Sequence, residues 1–549
     1  MAIDGSPQPP KFINLFDFPL RPSLFVSSLL PGVGAYLVMG LSLVVQSEIN
    51  GNVSCVQQQS FWLPALSWAI GVYEPQRYIW MVIICCQFPP RIFSGFLYKK
   101  FYETSTTAYA KMTWYKVFAY LLNLHNLVET AGLVLVSIFD IEGYFAIHAF
   151  TFGLWMFEYC ALMISDTTLH HYSGFRFLSL KHEILFQIKR AMSITATVLC
   201  TTTAFTYPYY SAHCAPWAYN FFTITEMVIA AMNSSYHFLI YWELPTVRLG
   251  AFANFESYEP SSRPSTVHLE KIESDHTLLR NRHSLNSNRV GIACAFCVAL
   301  SYAIHLDKFG NHSFVCTQVE KYVPTPSRPL GVYQPEKYVW LLAIVMHVPA
   351  RWFYGSLYRQ FYLSSTSPYA QEKWYKVFCY LLYMSFTVEG GGLVVLSVVD
   401  IEYCFMLHAL AFATMVFCFA SYMFDQAFLH HFSGWRHTSR KSEIMFRLRC
   451  GWFLVVALMG IMAAICYPLY YAFCSDIAFA LFSVAEYVVV FSNPTYHFLI
   501  YYDLPPEISV GLYADFSQFS PRPQNAKHGN CQMKLLEHQR NKIAAGIGF

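Results

Sequence analysis

The stretch YHFLIY at 236–241 occurs a second time, 260 residues later, at 496–501. The same offset relates LHH at 169–171 to LHH at 429–431, and WYKVF at 114–118 to WYKVF at 374–378. Self-similarity at one fixed offset is the signature of internal duplication. The chain is therefore a tandem repeat, and the fold of one copy predicts the fold of the other.

Each copy contains six apolar segments of about the length that a helix needs to cross the hydrocarbon core. Helices satisfy their own backbone hydrogen bonds in lipid, which an open sheet does not. We therefore predict an all-α polytopic membrane protein made of two tandem six-helix transmembrane repeats in the same orientation, about 12 spans in total. The predicted spans are 24–46, 78–98, 117–139, 144–164, 188–209 and 217–241, and then 289–306, 338–357, 377–399, 404–424, 450–470 and 477–501.

Composition supports a membrane protein. Of the 549 residues, 55% are hydrophobic and only 13% are charged, and the mean hydropathy is +0.34. A soluble domain carries roughly 25% charged residues, so an ordinary soluble, disordered or collagen-like protein is excluded. The net charge is +3 and no long basic run occurs, so we expect no nucleic-acid partner.

The boundaries of the repeats predict four regions. They are a first membrane repeat with a short cytosolic N-terminus (1–242), a polar cytosolic linker (243–288), a second membrane repeat (289–503) and a flexible cytosolic tail (504–549). Lys and Arg are enriched on the cytosolic side of membrane proteins, and Lys99, Lys100, Lys181 and Arg190 then lie on the same side as both termini. The first 22 residues are polar, so the first span is expected to act as an uncleaved anchor.

Cysteines and glycosylation sequons fall in loops that this orientation places in the lumen. Sequons occur at 52–54 and 311–313. An oxidising secretory lumen favours disulfides, although four free thiols are the alternative. The predicted pairs are Cys55–Cys214 and Cys316–Cys474.

Ionisable residues inside the membrane are costly and are the natural candidates for a functional site. Both copies carry the same set, which is Arg91, Glu129, Glu226, Asn233 and His237 in the first and Arg351, Glu389, Glu486, Asn493 and His497 in the second. Glu129 and Glu226 each lie roughly 14 Å below the lumenal ends of their spans. If these spans are neighbours, the two carboxylates face each other and share a proton. The alternative is structural, with Arg91 paired to a glutamate and the amides joining helices.

A second cluster borders the lumen, with Asp140, Glu142 and His148 in one copy and Asp400, Glu402 and His408 in the other. A carboxylate and a histidine can serve as general acid and base. A solvated loop with a helix cap is the favoured alternative. The adjacent histidines at 170–171 and 430–431 are weak evidence for a metal site, and we predict neither a metal nor a cofactor.

A family resemblance follows from the order of motifs along each copy. The matching residues are Pro75, Tyr78, Trp80, Pro90-Arg91, Asn126 to Glu129, His148, Glu226, Asn233, His237 and Tyr241-Trp242-Glu243. In this order they resemble the family of post-GPI-attachment-to-proteins factor two, which also includes the N-terminal part of the fungal protein that places ceramide on GPI anchors. The second copy departs from it at Phe386, and it has Asp503 where the first has Glu243.

The resemblance implies lipid remodelling of GPI-anchored proteins in the Golgi or endoplasmic reticulum, at the step that re-acylates lyso-GPI. The protein would be an acyltransferase or would assist a partner acyltransferase, and its partners would be GPI-anchored proteins, lyso-GPI and membrane lipids. The candidate catalytic residues are Glu129, Glu226, His148, His237, Glu389, Glu486, His408 and His497. The candidate substrate-binding residues are Arg91, Asn233, Asp140, Arg351, Asn493 and Asp400.

Two other functions remain open from the sequence. Two six-helix repeats in parallel are also the plan of a class of secondary transporters, so a lipid or small-molecule transporter or scramblase is one alternative. A non-catalytic membrane regulator, in which polar residues only fasten helices, is the other.

Overall fold

A computed structural model describes residues 12–45, 64–244, 247–254, 286–305, 316, 325–365, 367–437, 439–503 and 508–514. The chain forms two compact units, with the helices of the first in Pro19–Val247 and those of the second in Arg248–Tyr513. Cys55, both sequons, most of the predicted linker and most of the tail lie outside the described residues.

The described residues of the first unit form six long helices and one short one. The short helix α2 joins the first two long ones. In chain order the helices are α1 (Arg21–Val45), α2 (Leu66–Gly71), α3 (Gln76–Glu103), α4 (Thr113–Ile138), α5 (Phe145–Tyr172), α6 (Leu180–His213) and α7 (Pro216–Glu243).

The second unit repeats this order. Its helices are α8 (Asn286–Ile304), α9 (Ser327–Gly331), α10 (Glu336–Leu363), α11 (Lys373–Val398), α12 (Phe405–Phe432), α13 (Arg440–Phe473), α14 (Asp476–Phe498) and the short α15 (Ile500–Asp503). Apart from α15, each helix corresponds to one in the first unit, as the duplication predicts.

Within each unit the long helices pack in a closed series. In the first unit, α1 packs on α3, each later helix packs on the next, and α7 returns to α1. In the second unit, α8 packs on α10 and α14 returns to α8 in the same way. Side chains that point inward from different helices can therefore meet inside each unit.

Eight of the described helices are long and apolar enough to cross a membrane. This finding, with the composition, confirms an all-α polytopic membrane protein in outline. The remaining long helices α6, α7 and α10 are not among the eight, and the apolar part of α8 (Val290–Ile304) is shorter than a full span. The count of twelve spans stays a prediction.

The short elements were not predicted. Helices α2 and α9 have six and five residues, which is too short for a periodic apolar pattern to be detected. Three strands, β1 (Phe12–Pro19), β2 (Val247–Asn254) and β3 (Ile508–Ala514), form a sheet in the order β1-β2-β3. The linker predicted over 243–288 thus contains a strand at its beginning.

The Cys316–Cys474 disulfide is present, as predicted, and it closes a loop of 158 residues. Cys214 is also disulfide-bonded, while its predicted partner Cys55 lies outside the described residues. Cys474 and Cys214 each follow the last residue of α13 or α6. The disulfides therefore fix the same end of the corresponding helix in both units.

Removing the second disulfide should destabilise the protein. Because a crosslink restricts the unfolded chain, we expect Cys474→Ser to lower the free energy of unfolding by about 2–4 kcal/mol. Thermal unfolding of the full-length protein in detergent measures the loss. Cys404→Ser is the control, since Cys404 is a free, partly exposed cysteine, and it should unfold like the wild type. An unchanged unfolding temperature for Cys474→Ser would contradict the expectation.

Candidate functional site

The centre of the first unit is an ion pair between α3 and α4. Arg91 Nη2 lies 3.1 Å from Glu129 Oε1, and both side chains are buried. Asn233 of α7 completes the group, because its Nδ2 donates to Glu129 Oε1 over 2.8 Å and its Oδ1 accepts from Arg91. We call these three residues, and their counterparts Arg351, Glu389 and Asn493, the Arg–Glu–Asn clusters. One cluster joins three helices.

Further donors surround Glu129 in the first unit. Trp155 of α5 donates its indole N–H to Glu129 Oε1 over 2.9 Å. His237 Nε2 lies 3.5 Å from Glu129 Oε2, and the Thr130 hydroxyl lies at the same distance from that oxygen. The carboxylate therefore has partners at both of its oxygens, as a buried charge requires.

The second unit keeps the cluster but not these surroundings. Arg351 donates to Glu389 and to Asn493, and Asn493 Nδ2 donates to Glu389 Oε1 over 2.8 Å. His497 Nε2 lies 2.7 Å from the hydroxyl of Tyr422. Glu389 Oε2 has no hydrogen-bond partner among the described residues. The same ion pair is therefore less enclosed by donors in the second unit.

Glu226 and Glu486 hold the two short helices. Glu226 accepts the backbone N–H of Leu66 over 2.8 Å and the hydroxyl of Ser67 over 2.7 Å. It thus caps the N-terminus of α2 from a point about 15 Å along α7. Glu486 accepts from the hydroxyl of Ser327, the first residue of α9. These contacts are separate from those of Glu129 and Glu389, and the expectation of a shared proton stays a prediction.

Asp140 and Asp400 accept backbone N–H groups within the turns that follow them. Asp140 Oδ1 accepts the backbone N–H of Gly143 over 2.6 Å, and Asp400 Oδ1 accepts that of Glu402 over 2.8 Å. Asp400 Oδ2 also lies 3.6 Å from Lys337 Nζ. These contacts correspond to the loop part of the alternative rather than to a helix cap, since Tyr144 and Cys404, the N-cap residues of α5 and α12, make no side-chain cap bond.

His148 and His408 have an arrangement that the cap alternative did not include. His148 Nδ1 lies 2.7 Å from the carbonyl oxygen of Phe139, and His408 Nδ1 lies 2.8 Å from that of Val399. A carbonyl oxygen only accepts, so Nδ1 carries the proton and Nε2 of the neutral ring is left as an acceptor. Both Nε2 atoms are buried and without a partner among the described residues. Each unit therefore presents one oriented base.

A cavity of about 50 Å³ lies inside the second unit. A buried water needs roughly 10–15 Å³ of such space, so the cavity accommodates several waters or part of a larger molecule. Four residues that the sequence singled out line it, namely Arg351, His408, Glu486 and Asn493. Most of the other lining side chains are apolar, among them Leu330, Trp340, Leu393, Leu396, Phe412 and Met415.

Several polar atoms of the cavity wall are unpaired. Among the described residues, His408 Nε2, Glu486 Oε2 and Ser397 Oγ have no hydrogen-bond partner, although all three residues are buried. Buried polar atoms normally have partners. The second unit therefore offers a small, mostly apolar space with acceptors and a hydroxyl that a polar ligand group can satisfy.

A buried charge cluster in the first unit was missed from the sequence. Lys189 Nζ lies 2.9 Å from Asp166 and 2.6 Å from Glu243, and His170 Nδ1 lies 3.1 Å from Glu243. The hydroxyl of Tyr102 donates to Asp166 over 2.5 Å. Lys189 lies at the start of the predicted span 188–209 and His170 in the histidine pair, and neither was expected to contact a carboxylate. Asp166, an aspartate two residues beyond the predicted span 144–164, was the signal that could have revealed it.

Within the described part of the chain, no group of three or more His, Cys, Asp or Glu side chains is placed to hold a metal ion. The paired histidines do not change this, since His170 contacts Glu243 and His171 contacts Arg176.

Comparison with known proteins identifies relatives of each half. The family model described as Frag1/DRAM/Sfk1/Cwh43P N-terminal domain matches twice, at residues 22–247 and 290–507. "Post-GPI attachment to proteins factor 2" of Caenorhabditis briggsae is 27% identical over 212 residues, which cover 38% of this chain and 80% of the relative. "Acyltransferase PGAP2" of Xenopus tropicalis is 26% identical over 38% of this chain and 81% of its own length. No solved structure matches significantly.

Removing one charge of an Arg–Glu–Asn cluster should lower the free energy of unfolding more than removing both charges at once. Arg91→Gln leaves Glu129 buried without its cation, so we expect the free energy of unfolding to fall by about 3–5 kcal/mol. Arg91→Gln/Glu129→Gln should lose less than the single variant, because no unpaired charge remains. Thermal unfolding of the full chain gives this double-mutant cycle.

The control for this cycle is Lys99→Gln, which removes one side of a partly exposed ion pair with Glu103 and should change stability by less than about 1 kcal/mol. Strictly additive losses at Arg91 and Glu129 would contradict the coupling.

Proposed function

The chain belongs to the Frag1/DRAM/Sfk1/Cwh43P N-terminal domain family, twice over, and from that premise we propose that it remodels the lipid of GPI anchors by re-acylating lyso-GPI. The relatives named as post-GPI-attachment factors and as an acyltransferase support this function. The observation that carries it to particular residues is the cavity lined by Arg351, His408, Glu486 and Asn493.

In the proposed reaction, a free hydroxyl of the lyso-lipid glycerol attacks the carbonyl carbon of an acyl thioester or acyl ester donor. A new ester bond forms, and the bond between the acyl group and its leaving group breaks. His408 Nε2 accepts the hydroxyl proton and passes it to the leaving group. Its Nδ1 contact with Val399 holds the ring in the tautomer that this role needs.

The position of His408 supports this assignment. It is the fourth residue of α12, so its backbone lies near a helix end, about 5 Å along the axis. Glycerol hydroxyls of membrane lipids lie in the interfacial layer, at the same depth as helix ends. Arg351 and Asn493, the candidate substrate-binding residues, also line the cavity, and its apolar wall would contact the lipid chain.

The proposal includes a membrane topology. Twelve spans form two six-helix repeats in one orientation, in the regions 1–242 and 289–503, with the linker 243–288, the tail 504–549 and both termini in the cytosol. The Golgi or the endoplasmic reticulum is the proposed location, and the loops with the sequons and disulfide cysteines face its lumen. The equivalence of α1 to α7 with α8 to α14 supports one shared orientation.

Cells that lack the protein should accumulate lyso-GPI or unremodelled unsaturated anchors, because the re-acylation step is missing. Mass spectrometry of GPI-anchor lipids measures this, and re-expression of the wild type should restore remodelled anchors. His148→Asn/His408→Asn should not restore them. The asparagine amide can keep the N–H donated to the backbone carbonyl while it removes Nε2 from both units.

His213→Asn serves as the control, since His213 is an exposed histidine at the end of α6, and it should restore anchors fully. Equal abundance of all variants on immunoblots separates loss of activity from loss of protein. Normal anchors in cells without the protein would refute the function and favour the transporter or the regulator. Normal anchors with the double histidine variant would refute the role of the bases.

The topology makes its own prediction. Glycosidase treatment should increase the electrophoretic mobility of the wild type, and Asn52→Gln/Asn311→Gln should abolish that shift, because both sequons would face the lumen. Epitope tags at either terminus should be stained after selective permeabilisation of the plasma membrane. A tag that stays protected until internal membranes are opened would contradict cytosolic termini.

A further inference from the structure

One difference between the two units concerns a residue that contacts the buried carboxylate in the first unit. In the first unit Trp155 packs parallel to Tyr159, with ring centroids 6.3 Å apart and planes 8° apart, and its N–H is bound to Glu129. The equivalent residue in the second unit is Met415, which lines the cavity. A buried, hydrogen-bonded indole in one copy thus corresponds to a flexible thioether chain in the other.

Two other changes also remove contacts to the carboxylate in the second unit. Thr130, whose hydroxyl lies 3.5 Å from Glu129 Oε2, corresponds to Gly390, and His497 is engaged with Tyr422 rather than with Glu389. Glu389 Oε2 has no partner among the described residues. The first unit therefore satisfies its carboxylate internally, while the second leaves one of its oxygens available.

The chemistry of the second-unit cavity indicates an amphiphilic ligand. The side chains of Leu393, Leu396, Phe412 and Met415 form apolar wall, as does Trp340, while His408, Glu486 and Ser397 contribute unpaired polar atoms. A pocket of this kind orients a ligand by a few polar groups and binds it by apolar contact. A lipid with one acyl chain and a free hydroxyl has both parts.

We propose that the second unit is the lipid-binding copy and that residue 415 determines this, because Met415 borders a space for part of a single-chain lipid, whereas the first unit has the larger Trp155 at the equivalent position. The identification of that lipid as lyso-GPI rests on the proposed function above. The location of the binding site does not rest on that function, because it is inferred from the side chains that differ between the two units. Met415 is then the specificity-determining residue of the cavity, and the first unit has a structural role.

A photoreactive lysophospholipid with an alkyne handle tests the location directly. The full-length protein, reconstituted in lipid nanodiscs, is illuminated with this probe and digested, and labelled peptides are assigned to units by mass spectrometry. Labelling of the wild type should be concentrated in α11, α12 and α14. Met415→Trp should reduce it about tenfold or more, because the larger indole would take up the space that the lipid needs.

Two further variants keep the test independent of one substitution. Met415→Leu conserves volume and should label like the wild type. Trp155→Met should add labelling in α4, α5 and α7 of the first unit, whether or not Met415→Trp folds. Thermal unfolding of each variant, and a competing excess of unlabelled lysolipid, distinguish specific binding from damage or bilayer contact.

Equal labelling of both units in the wild type would overturn the proposal. So would wild-type labelling in a folded Met415→Trp variant, or no new first-unit labelling in a folded Trp155→Met variant. Anchor analysis separates the two proposals. If labelling behaves as expected but deletion of the protein leaves GPI anchors unchanged, the lipid-binding copy stands and GPI remodelling fails. If GPI anchors depend on the protein but labelling does not change with residue 415, GPI remodelling stands and the assignment of the lipid-binding copy fails.

Discussion

The structure depends on the ion pair between Arg91 and Glu129 and on its copy between Arg351 and Glu389. Charges within a membrane protein have no water to solvate them, so each must bring its partner. Here the partners are on successive helices, α3 with α4 and α10 with α11, and an asparagine of α7 or α14 bonds to both. The ion pair therefore determines which faces of these helices point into each unit. The other buried polar side chains lie in positions that depend on it.

The helices and their duplication could be predicted from the sequence because twenty-residue apolar segments and a fixed offset are local, one-dimensional signals. The same logic identified Arg351, His408 and Glu486, since ionisable residues are conspicuous among apolar ones. The cavity that brings them together could not be predicted, because it depends on how far side chains from six helices fill space. Helix α2 could not be predicted for a related reason. Its N-terminus is capped by Glu226, which is 160 positions away in the sequence.

Comparison of the two copies shows which contacts tolerate change. The Arg–Glu–Asn clusters are the same in both units, since altering one charge strands the other. Other buried residues differ: Gly390 corresponds to Thr130, Arg449 to Lys189, and the neutral Gln426 to the charged Asp166. Tyr496 still donates to Gln426, over 2.7 Å, as Tyr236 does to Asp166. A duplicated membrane unit can thus keep its framework while the groups around it acquire different properties.

The segment that carries α9 is fastened on both sides. Cys316 is linked covalently to Cys474 at the end of α13, and Ser327 donates its hydroxyl to Glu486 within α14. Ser327 and Leu330 are also part of the cavity wall. Because the disulfide and the hydrogen bond both restrain this part of the wall, we do not expect the cavity to open by movement of α9. If the proposed lipid binds there, it would enter from the bilayer between neighbouring helices, and membrane thickness and fluidity would then affect how fast the cavity fills.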